Sequence, residues 1–191
     1  MAEQFSFAGM SGDPTDRLFL ATFPTEAAVR DIANLQARLK QSLGLWGKPL
    51  TADRLHITLC HLGDYAGLND DVVTKARQAM AGQSFAPFDV TFDRVASFAN
   101  RARNKPFVLQ GKEGVAATEA FQKQLCDQLK GAGLGKWAKP YTPHATLLYD
   151  NQNVPEQVVD PIAWRVAEFV LVHSELGKTR HHILERWPLR A

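Results

Sequence analysis

The chain is poor in cysteine and in long apolar segments, and each scarcity excludes a class of protein. Only two of its 191 residues are cysteines, Cys60 and Cys126, which is too few for a disulfide framework. No apolar run approaches the roughly 18 residues that a membrane-spanning helix needs. The first sixteen residues lack the positive and apolar segments of a secretory signal. We therefore predict a cytoplasmic protein with no membrane partner and with both thiols buried and reduced.

Net charge is also scarce. The 22 Lys and Arg residues nearly balance the 20 Asp and Glu residues, so the formal net charge is +2. Such an excess permits a phosphate-bearing ligand but is not the clustered charge of an extended nucleic-acid surface. A composition of 45% hydrophobic and 22% charged residues is ordinary for a globular protein. We expect a monomer with a disordered arm at residues 1–16 and a single two-lobed domain at residues 17–191.

A short pattern, His-x-Thr-Leu, occurs twice in the chain. It stands at His56 and again at His144, 88 residues later. A short apolar segment that predicts a strand precedes each copy, and its phenylalanine lies 37 residues before the histidine in both cases, at Phe19 and at Phe107. The equal spacing indicates that the two segments share one layout.

Other features repeat with the motif. Apolar residues at three- and four-residue steps predict one helix between the strand and the motif in each half. The loop that follows this helix reads Trp-x-Lys-Pro in both halves, beginning at Trp46 and at Trp137. We infer an internal repeat with halves at about 17–100 and 104–191. The alternative is a chance similarity between two α+β segments.

The rest of each half follows a similar order. The first half predicts a helix from about Asp70 to Ala81 and a strand from Phe88 to Val95. The second half predicts, in order, a short turn or helical piece, a long strand and a closing strand, at Pro155 to Val159, Trp164 to His173 and His182 to Trp187. Each half therefore predicts roughly β-α-β-α-β, with the histidine motif on its middle strand, in an α+β fold.

The alternation of side chains along a strand places the histidine and the threonine of each motif side by side. Residues at i and i+2 point to the same face, so His56 and Thr58 share one face while Ile57 points to the other. His144 and Thr146 share a face in the same way. If a pseudo-twofold axis relates the two halves, two imidazoles and two hydroxyls surround one small cleft.

Two opposed imidazoles suit the cleavage of a phosphodiester. Because histidine has an unperturbed pKa of about 6.5, one ring can accept a proton from water while the other protonates the departing oxygen. Threonine hydroxyls can donate hydrogen bonds to phosphate oxygens as charge develops. We therefore predict neither a metal nor another cofactor. A metal site is the weaker alternative, because no carboxylates are spaced with the histidines as ligands.

The other histidines receive ordinary roles. A single His-x-Thr strand usually carries no function, so the second copy is what indicates a site at His56. On a regular strand His61 points away from that site, and we assign it a structural or partly exposed role. His173, His181 and His182 are assigned to the surface or to strand pairing, and His173 and His181 are the two that could reach the cleft.

The two motifs resemble the signature of the two-histidine phosphoesterases, and most closely that of the RNA 2′,3′-cyclic phosphodiesterases, also called 2′-5′ RNA ligases. The resemblance covers nearly the whole chain from Arg17, with supporting stretches at 17–21, 55–63, 141–147, 171–174 and 185–189. It implies a bilobal pseudo-twofold duplication in which two antiparallel sheets flank a central cleft and the helices lie outside.

The resemblance also implies an activity. It implies that a 2′,3′-cyclic phosphate on an RNA or nucleotide partner is opened to a 2′-phosphate without a metal. His56 would be the proton donor and His144 the proton acceptor, and Thr58 and Thr146 would bind the phosphate. Two alternatives stay open: 2′-5′ RNA ligation by the same two histidines, and a non-catalytic RNA- or nucleotide-binding module of the same fold.

The sequence departs from the family pattern at two positions. Many members place an arginine that helps to hold phosphate five residues after the second histidine, where this chain has Tyr149. Members often carry phenylalanine at the position of His61. Tyr149 is a candidate to donate a hydrogen bond to phosphate instead. Arg101, Arg103 and Lys105 are the alternative cations, although a solvated loop is the ordinary interpretation of all three.

Overall fold

The structure is a computed structural model that describes residues 13–99, 102–134 and 141–190. The predicted N-terminal arm lies mostly outside these ranges. The first strand begins at Asp16, and Ala52–Arg54 form a short 3₁₀ turn. The elements follow in the order β1 (Asp16–Thr22), α1 (Glu26–Ser42), β2 (Ile57–Tyr65), α2 (Asp70–Met80), β3 (Phe88–Ser97), β4 (Lys105–Gln110), α3 (Ala116–Gly131), β5 (His144–Asp150), β6 (Gln157–Val166), β7 (Glu168–Glu175) and β8 (Arg180–Pro188).

The three predicted helices are confirmed, and their ends follow capping chemistry. The Thr25 hydroxyl accepts a hydrogen bond at the start of α1, and the Asn69 side chain does the same for α2. Gly44, just beyond α1, has a positive φ of 63° that favours glycine. None of the helices in the described part of the chain is long and apolar enough to cross a membrane.

The second half differs from its prediction after β5. The expected helical piece at 155–159 is wrong, because Gln157 already begins β6 and Val158 pairs with Arg94 of β3. The expected single strand from Trp164 to His173 is also wrong, since it divides at Ala167 into the end of β6 and the start of β7. Adjacent β-branched valines and an available edge of β3 explain why this segment is extended.

The described strands form one antiparallel sheet in the order β6-β3-β4-β5-β2-β1-β7-β8. This differs from the expectation of two separate sheets. The cause is the join between β2 and β5, which pair at a single position, Ile57 with Ala145. The sheet therefore consists of two four-stranded groups that meet along the two strands carrying the histidine motifs.

Each four-stranded group combines strands from both halves of the sequence. β3 belongs to the first half but lies between β4 and β6, whereas β7 belongs to the second half but lies between β1 and β8. Counted outward from the central join, the orders β5-β4-β3-β6 and β2-β1-β7-β8 correspond. The first half therefore contributes one strand, β3, to the group around β5, and the second half contributes two, β7 and β8, to the group around β2.

The sheet has one face covered by helices and one face that carries the motifs. The main core packs α1 against β6, α3 against β2 and β3, and α2 against α3. Both cysteines lie in this core, as predicted, with Cys60 Sγ 3.3 Å from Cys126 Sγ of α3. The opposite face holds a smaller apolar cluster, Phe19, Ala21, Val170 and Val172.

Candidate active site

The four predicted site residues lie together on the face away from the helices. Ile57 and Ala145 pair across the central join, and both side chains are fully buried on the helix side. Because neighbouring side chains on a strand alternate, the residues on either side of this pair point the other way. These residues are half-buried and comprise His56, Thr58, His144 and Thr146. His56 immediately precedes β2, and His144 is the first residue of β5.

Both imidazoles are held by the same backbone contact. His56 Nδ1 lies 2.8 Å from the carbonyl oxygen of Arg54, and His144 Nδ1 lies 2.7 Å from that of Thr142. A carbonyl oxygen can only accept a hydrogen bond, so each Nδ1 carries the hydrogen. In the neutral ring this assignment leaves the lone pair on Nε2. Each ring is thus held in place through Nδ1, and its Nε2 can accept a proton.

The surroundings of the two rings are apolar but unequal. His56 contacts Phe19 and Phe23 at ring-centroid distances of 5.1 and 6.1 Å, and His144 meets Phe98 edge-on at 4.8 Å. Burial lowers the pKa of both rings, and that of His56 falls to about 4. The hydrogen bond to the Arg54 carbonyl raises the pKa of His56 in part, whereas the positive charge of Arg54, and that of His144 when it is protonated, lower it further. Both rings are therefore neutral near pH 7 in the ligand-free protein.

A β-bulge follows each motif and changes which residues face the site. In β2 the pairing skips Leu59, and in β5 it skips Leu147, so two consecutive apolar residues point to the core in each strand. The next residue, His61 or Tyr149, then returns to the face of the motif. The prediction that His61 points away is wrong for this reason, although His61 is half-exposed as expected.

The residues near each bulge have different partners. His61 Nε2 lies 2.9 Å from Asp64 Oδ1, and Asp64 also accepts two hydrogen bonds of 2.7 Å from Arg17. Tyr149 is 39% exposed beside Pro106 of β4. His61 is thus engaged in a hydrogen-bond network with Asp64, whereas Tyr149 is exposed.

The loop cations that could stand in for an arginine at Tyr149 are not brought to the site by a specific contact. Lys105 Nζ donates a hydrogen bond of 2.9 Å to the carbonyl oxygen of Asn151. Arg103 is exposed in the loop before β4, and Arg101 lies outside the described residues. The interpretation as a solvated loop therefore holds for Arg103 and is wrong for Lys105, which is half-buried and begins β4.

A third histidine, His181, reaches the site. Its ring centroid lies 5.3 Å from that of His56 and 5.5 Å from that of Phe19, edge-on in both cases. His173 does not reach the site, because it bonds to Asp16 and stacks on His182. His181 and His182 are adjacent, so their rings lie on opposite faces of β8. The alternation of side chains alone does not specify which of the two faces the site.

The loop before β2 is fastened to the end of β5. The buried carboxylate of Asp150 accepts hydrogen bonds of 2.7 Å from the backbone N–H groups of Trp46 and Gly47. A Cβ at Gly47 would collide with the carbonyl oxygen of Tyr149, so only glycine fits there. This contact belongs to the first Trp-x-Lys-Pro loop; the second, at Trp137, lies outside the described residues.

The polar side-chain groups at the site are two imidazoles and two hydroxyls, from His56, His144, Thr58 and Thr146. Over residues 13–99, 102–134 and 141–190, the structure groups no three His, Cys, Asp or Glu side chains in a way that could hold a metal ion. The arrangement can transfer protons at two imidazole nitrogens and can donate hydrogen bonds to an anion between them.

Comparisons with known proteins agree with this arrangement. The model of the 2′-5′ RNA ligase superfamily matches residues 23–178. The RNA 2′,3′-cyclic phosphodiesterase of Escherichia coli (strain K12) is 29% identical over 148 residues, which are 75% of this chain and 80% of that protein.

Solved structures share the fold. E. coli LigT complexed with 3′-AMP has a TM-score of 0.75 at 24% identity, over 94% of this chain and all of that one. The protein TT0787 of Thermus thermophilus has a TM-score of 0.68 at 24% identity, over 91% of this chain and 98% of that one. Because the family model spans most of its length, the chain belongs to the 2′-5′ RNA ligase superfamily of two-histidine phosphoesterases.

Proposed function

We propose that the protein hydrolyses 2′,3′-cyclic phosphates at RNA ends to 2′-phosphates, without a metal. The observation that supports this most is the matched pair of imidazoles. Both rings are fixed through Nδ1 by a backbone carbonyl two residues earlier, and both lie on one face beside the single pairing of β2 with β5. The 29% identical E. coli phosphodiesterase supports the same reaction. The complexes of E. coli LigT with 3′-AMP and ATP support a nucleotide-bearing substrate.

The reaction needs one proton acceptor and one proton donor. His144 Nε2 takes a proton from water as the water oxygen bonds to phosphorus. The bond from phosphorus to the 3′ oxygen breaks, and His56 gives that oxygen a proton. Thr58 and Thr146 donate hydrogen bonds to the non-bridging oxygens. The direction of these roles is taken from the family resemblance.

The lowered pKa of His56 sets a condition on its role as acid. With a pKa of about 4, the ring is neutral in the free protein at pH 7. An anionic phosphodiester beside it favours the imidazolium form, because an opposite charge raises the pKa of a histidine. His56 therefore takes up its proton together with the substrate. The neutral state of free His144 already suits a base.

An RNA oligomer that ends in a 2′,3′-cyclic phosphate tests the proposal. The purified protein should convert it to the 2′-phosphate isomer, and excess chelator should leave turnover unchanged. Turnover that is lost on chelation and restored by a divalent ion would indicate metal-assisted hydrolysis instead. Binding of the oligomer without any turnover would favour the non-catalytic module.

Ligation is the second candidate, and the family to which the chain belongs supports it. The same acid and base can join the cyclic phosphate to a 5′-hydroxyl in place of water, because the two reactions share one transition-state geometry. An oligomer with a free 5′-hydroxyl, added in excess to the same assay, should yield a 2′-5′ linked product only as a minor species. A predominant linked product would make ligation the main activity.

A further inference from the structure

Two side-chain nitrogens near His56 lack hydrogen-bond partners. Arg54 Nε and His181 Nδ1 are closed off from solvent, and neither has a hydrogen bond within the described part of the chain. No carboxylate among the described residues lies within ion-pair distance of the Arg54 guanidinium. Other arginines do form ion pairs, for example Arg17, Arg77, Arg94 and Arg165. Buried polar groups without partners are uncommon, so these two mark an incompletely paired cluster beside His56. The remaining nitrogens of the same two side chains, Arg54 Nη and His181 Nε2, are not closed off and can bind a ligand.

Arg54 and His181 come from separate elements and meet at the same ring. Arg54 ends the 3₁₀ turn before β2, and its carbonyl oxygen holds His56. Its positive charge lowers the pKa of both His56 and His181. His181 comes from β8, opposite Ser174 of β7.

His181 differs from the two motif histidines in the nitrogen that it can offer. Nδ1 of His181 is closed off without a partner, so only Nε2 can reach a ligand. An unpaired buried N–H is rarer than an unpaired acceptor, which favours the tautomer with its hydrogen on Nε2. Burial, together with the charges of His56, Arg54 and His182 and against that of Asp53, lowers the pKa of His181 to about 4. The neutral ring therefore donates a hydrogen bond, whereas His56 and His144 present lone pairs.

We propose that Arg54 and His181 bind the anionic phosphate of the substrate from the His56 side. This inference rests on the proposed function, whose active site it completes. An arginine supplies charge and several N–H donors, and a neutral imidazole supplies one more donor at its edge. The pair supplies the cation that position 149 lacks, from the opposite side of the central join.

The test measures the affinity for inorganic phosphate by calorimetry and kcat/KM on the cyclic-phosphate RNA oligomer. Arg54→Met should weaken phosphate binding and lower kcat/KM by about 10- to 100-fold, and Arg54→Lys should recover part of the loss because it keeps the charge. His181→Phe should weaken both by about tenfold, since it keeps the aromatic packing on Phe19 and His56 but removes the donor.

His181→Gln distinguishes a donor from a packing residue. Its amide N–H can replace Nε2–H, so it should retain most of the affinity that His181→Phe loses. A packing role predicts the reverse, because phenylalanine preserves the edge-on contacts and glutamine does not. The matched control is His182→Phe, which alters the adjacent exposed ring that bonds to Glu175 and should leave both measurements unchanged.

The pH dependence separates a neutral donor from a cation. Near pH 6 and near pH 8, the ratio of variant to wild-type dissociation constants for His181→Phe should be the same. Arg54 keeps its charge, and that charge together with protonated His56 opposes the protonation of His181 when phosphate binds. In this ratio the ionisation of phosphate itself cancels. A ratio that grows steeply at low pH would overturn the role of His181 as a neutral donor.

The remaining outcomes separate this inference from the proposed function. Unchanged phosphate affinity in folded Arg54→Met and His181→Phe proteins would overturn the inference, whether or not the oligomer is hydrolysed. No measurable phosphate binding by the wild-type protein would overturn it as well. Intact phosphate binding that depends on Arg54 and His181, without hydrolysis by the wild-type protein, would support the anion site and contradict the proposed reaction.

Discussion

The two halves of the active site share a scaffold and differ in their neighbours. In both halves a histidine bonds through Nδ1 to the carbonyl oxygen two residues before it. A threonine follows on the same face, and a β-bulge comes next in the strand. These shared features place two imidazoles in equivalent positions.

The neighbours make the two imidazoles chemically unequal. On one side His56 faces Arg54 and His181, and its pKa falls to about 4. On the other side His144 faces Phe98, and only burial lowers its pKa. His181 comes from β8, so the sequence half that carries His144 supplies a neighbour to His56. The difference in pKa alone would favour a neutral His56, so the proposed role of His56 as acid depends on the negative charge of a bound phosphate.

Removing either imidazole should have the largest effect. His56→Ala and His144→Ala should each lower kcat on the cyclic-phosphate oligomer by about 10²- to 10⁴-fold, the usual contribution of a positioned proton-transfer group. The double variant should be little worse than the slower single variant, because both groups act in one transition state. His182→Ala is the control. A double variant that shows the product of the two single losses would contradict action in one step.

The acidic residues of the two central strands should differ in their contribution to stability. Asp150→Ala removes a buried acceptor of three backbone hydrogen bonds, from Trp46, Gly47 and Gln152, and should lower the free energy of unfolding by about 2–3 kcal/mol. Asp64→Ala removes a partly exposed ion pair with Arg17 and should cost less than about 1 kcal/mol. Urea unfolding measures both. Equal costs would show that Asp150 does not fasten the loop to β5.

The two threonines should contribute less than the histidines and about equally. Thr58→Ala and Thr146→Ala should each lower kcat/KM by about tenfold, because each removes one hydrogen bond to a charged phosphate oxygen. Thr→Ser should restore most of the loss, since the hydroxyl is retained. A loss confined to one threonine would show that the phosphate lies within one half of the site rather than between them.

The pH dependence of stability should reveal which histidine is more perturbed. A histidine whose pKa is lowered on folding stabilises the protein above its unfolded pKa of about 6.5, and this stability is lost as the pH falls towards its folded pKa. His56→Asn should therefore flatten the decline in stability between about pH 7 and pH 5, by about 1–2 kcal/mol. His144→Asn should flatten it less. Urea unfolding in phosphate-free buffer measures this, and a larger effect at His144 would reverse the ranking.

Much of the site could be predicted from local periodicity. The alternation of buried and half-buried residues in Ile57–Leu59 and Ala145–Leu147 is what the His-x-Thr pattern predicts. The bulges are also visible in the sequence, because the apolar doublets Leu59–Cys60 and Leu147–Leu148 interrupt the alternation at equivalent positions. Such a doublet places His61 on the face of the site.

The exchange of strands could not be predicted in the same way. The apolar pattern of β3 or β7 defines which face is buried but does not specify the neighbouring strand, which depends on contacts distant in sequence. For this reason, the apolar pattern does not predict that the two expected sheets join into one. It also does not predict that His181 lies beside His56. The contact of Arg54 with the site depends on the 3₁₀ turn at Ala52–Arg54. This turn is too short to show a repeating pattern of apolar residues in the sequence.

The division of labour between the two halves can be tested with one substituted substrate. A cyclic phosphate in which sulfur replaces the bridging 3′ oxygen has a leaving group that needs little protonation, so it makes the acid dispensable and leaves the base essential. The sulfur substrate should restore the turnover of His56→Ala towards that of the wild-type protein, and His144→Ala should stay slow. Restored turnover in His144→Ala alone would exchange the two roles. An equal response of both variants would contradict the claim that the two histidines act as separate acid and base.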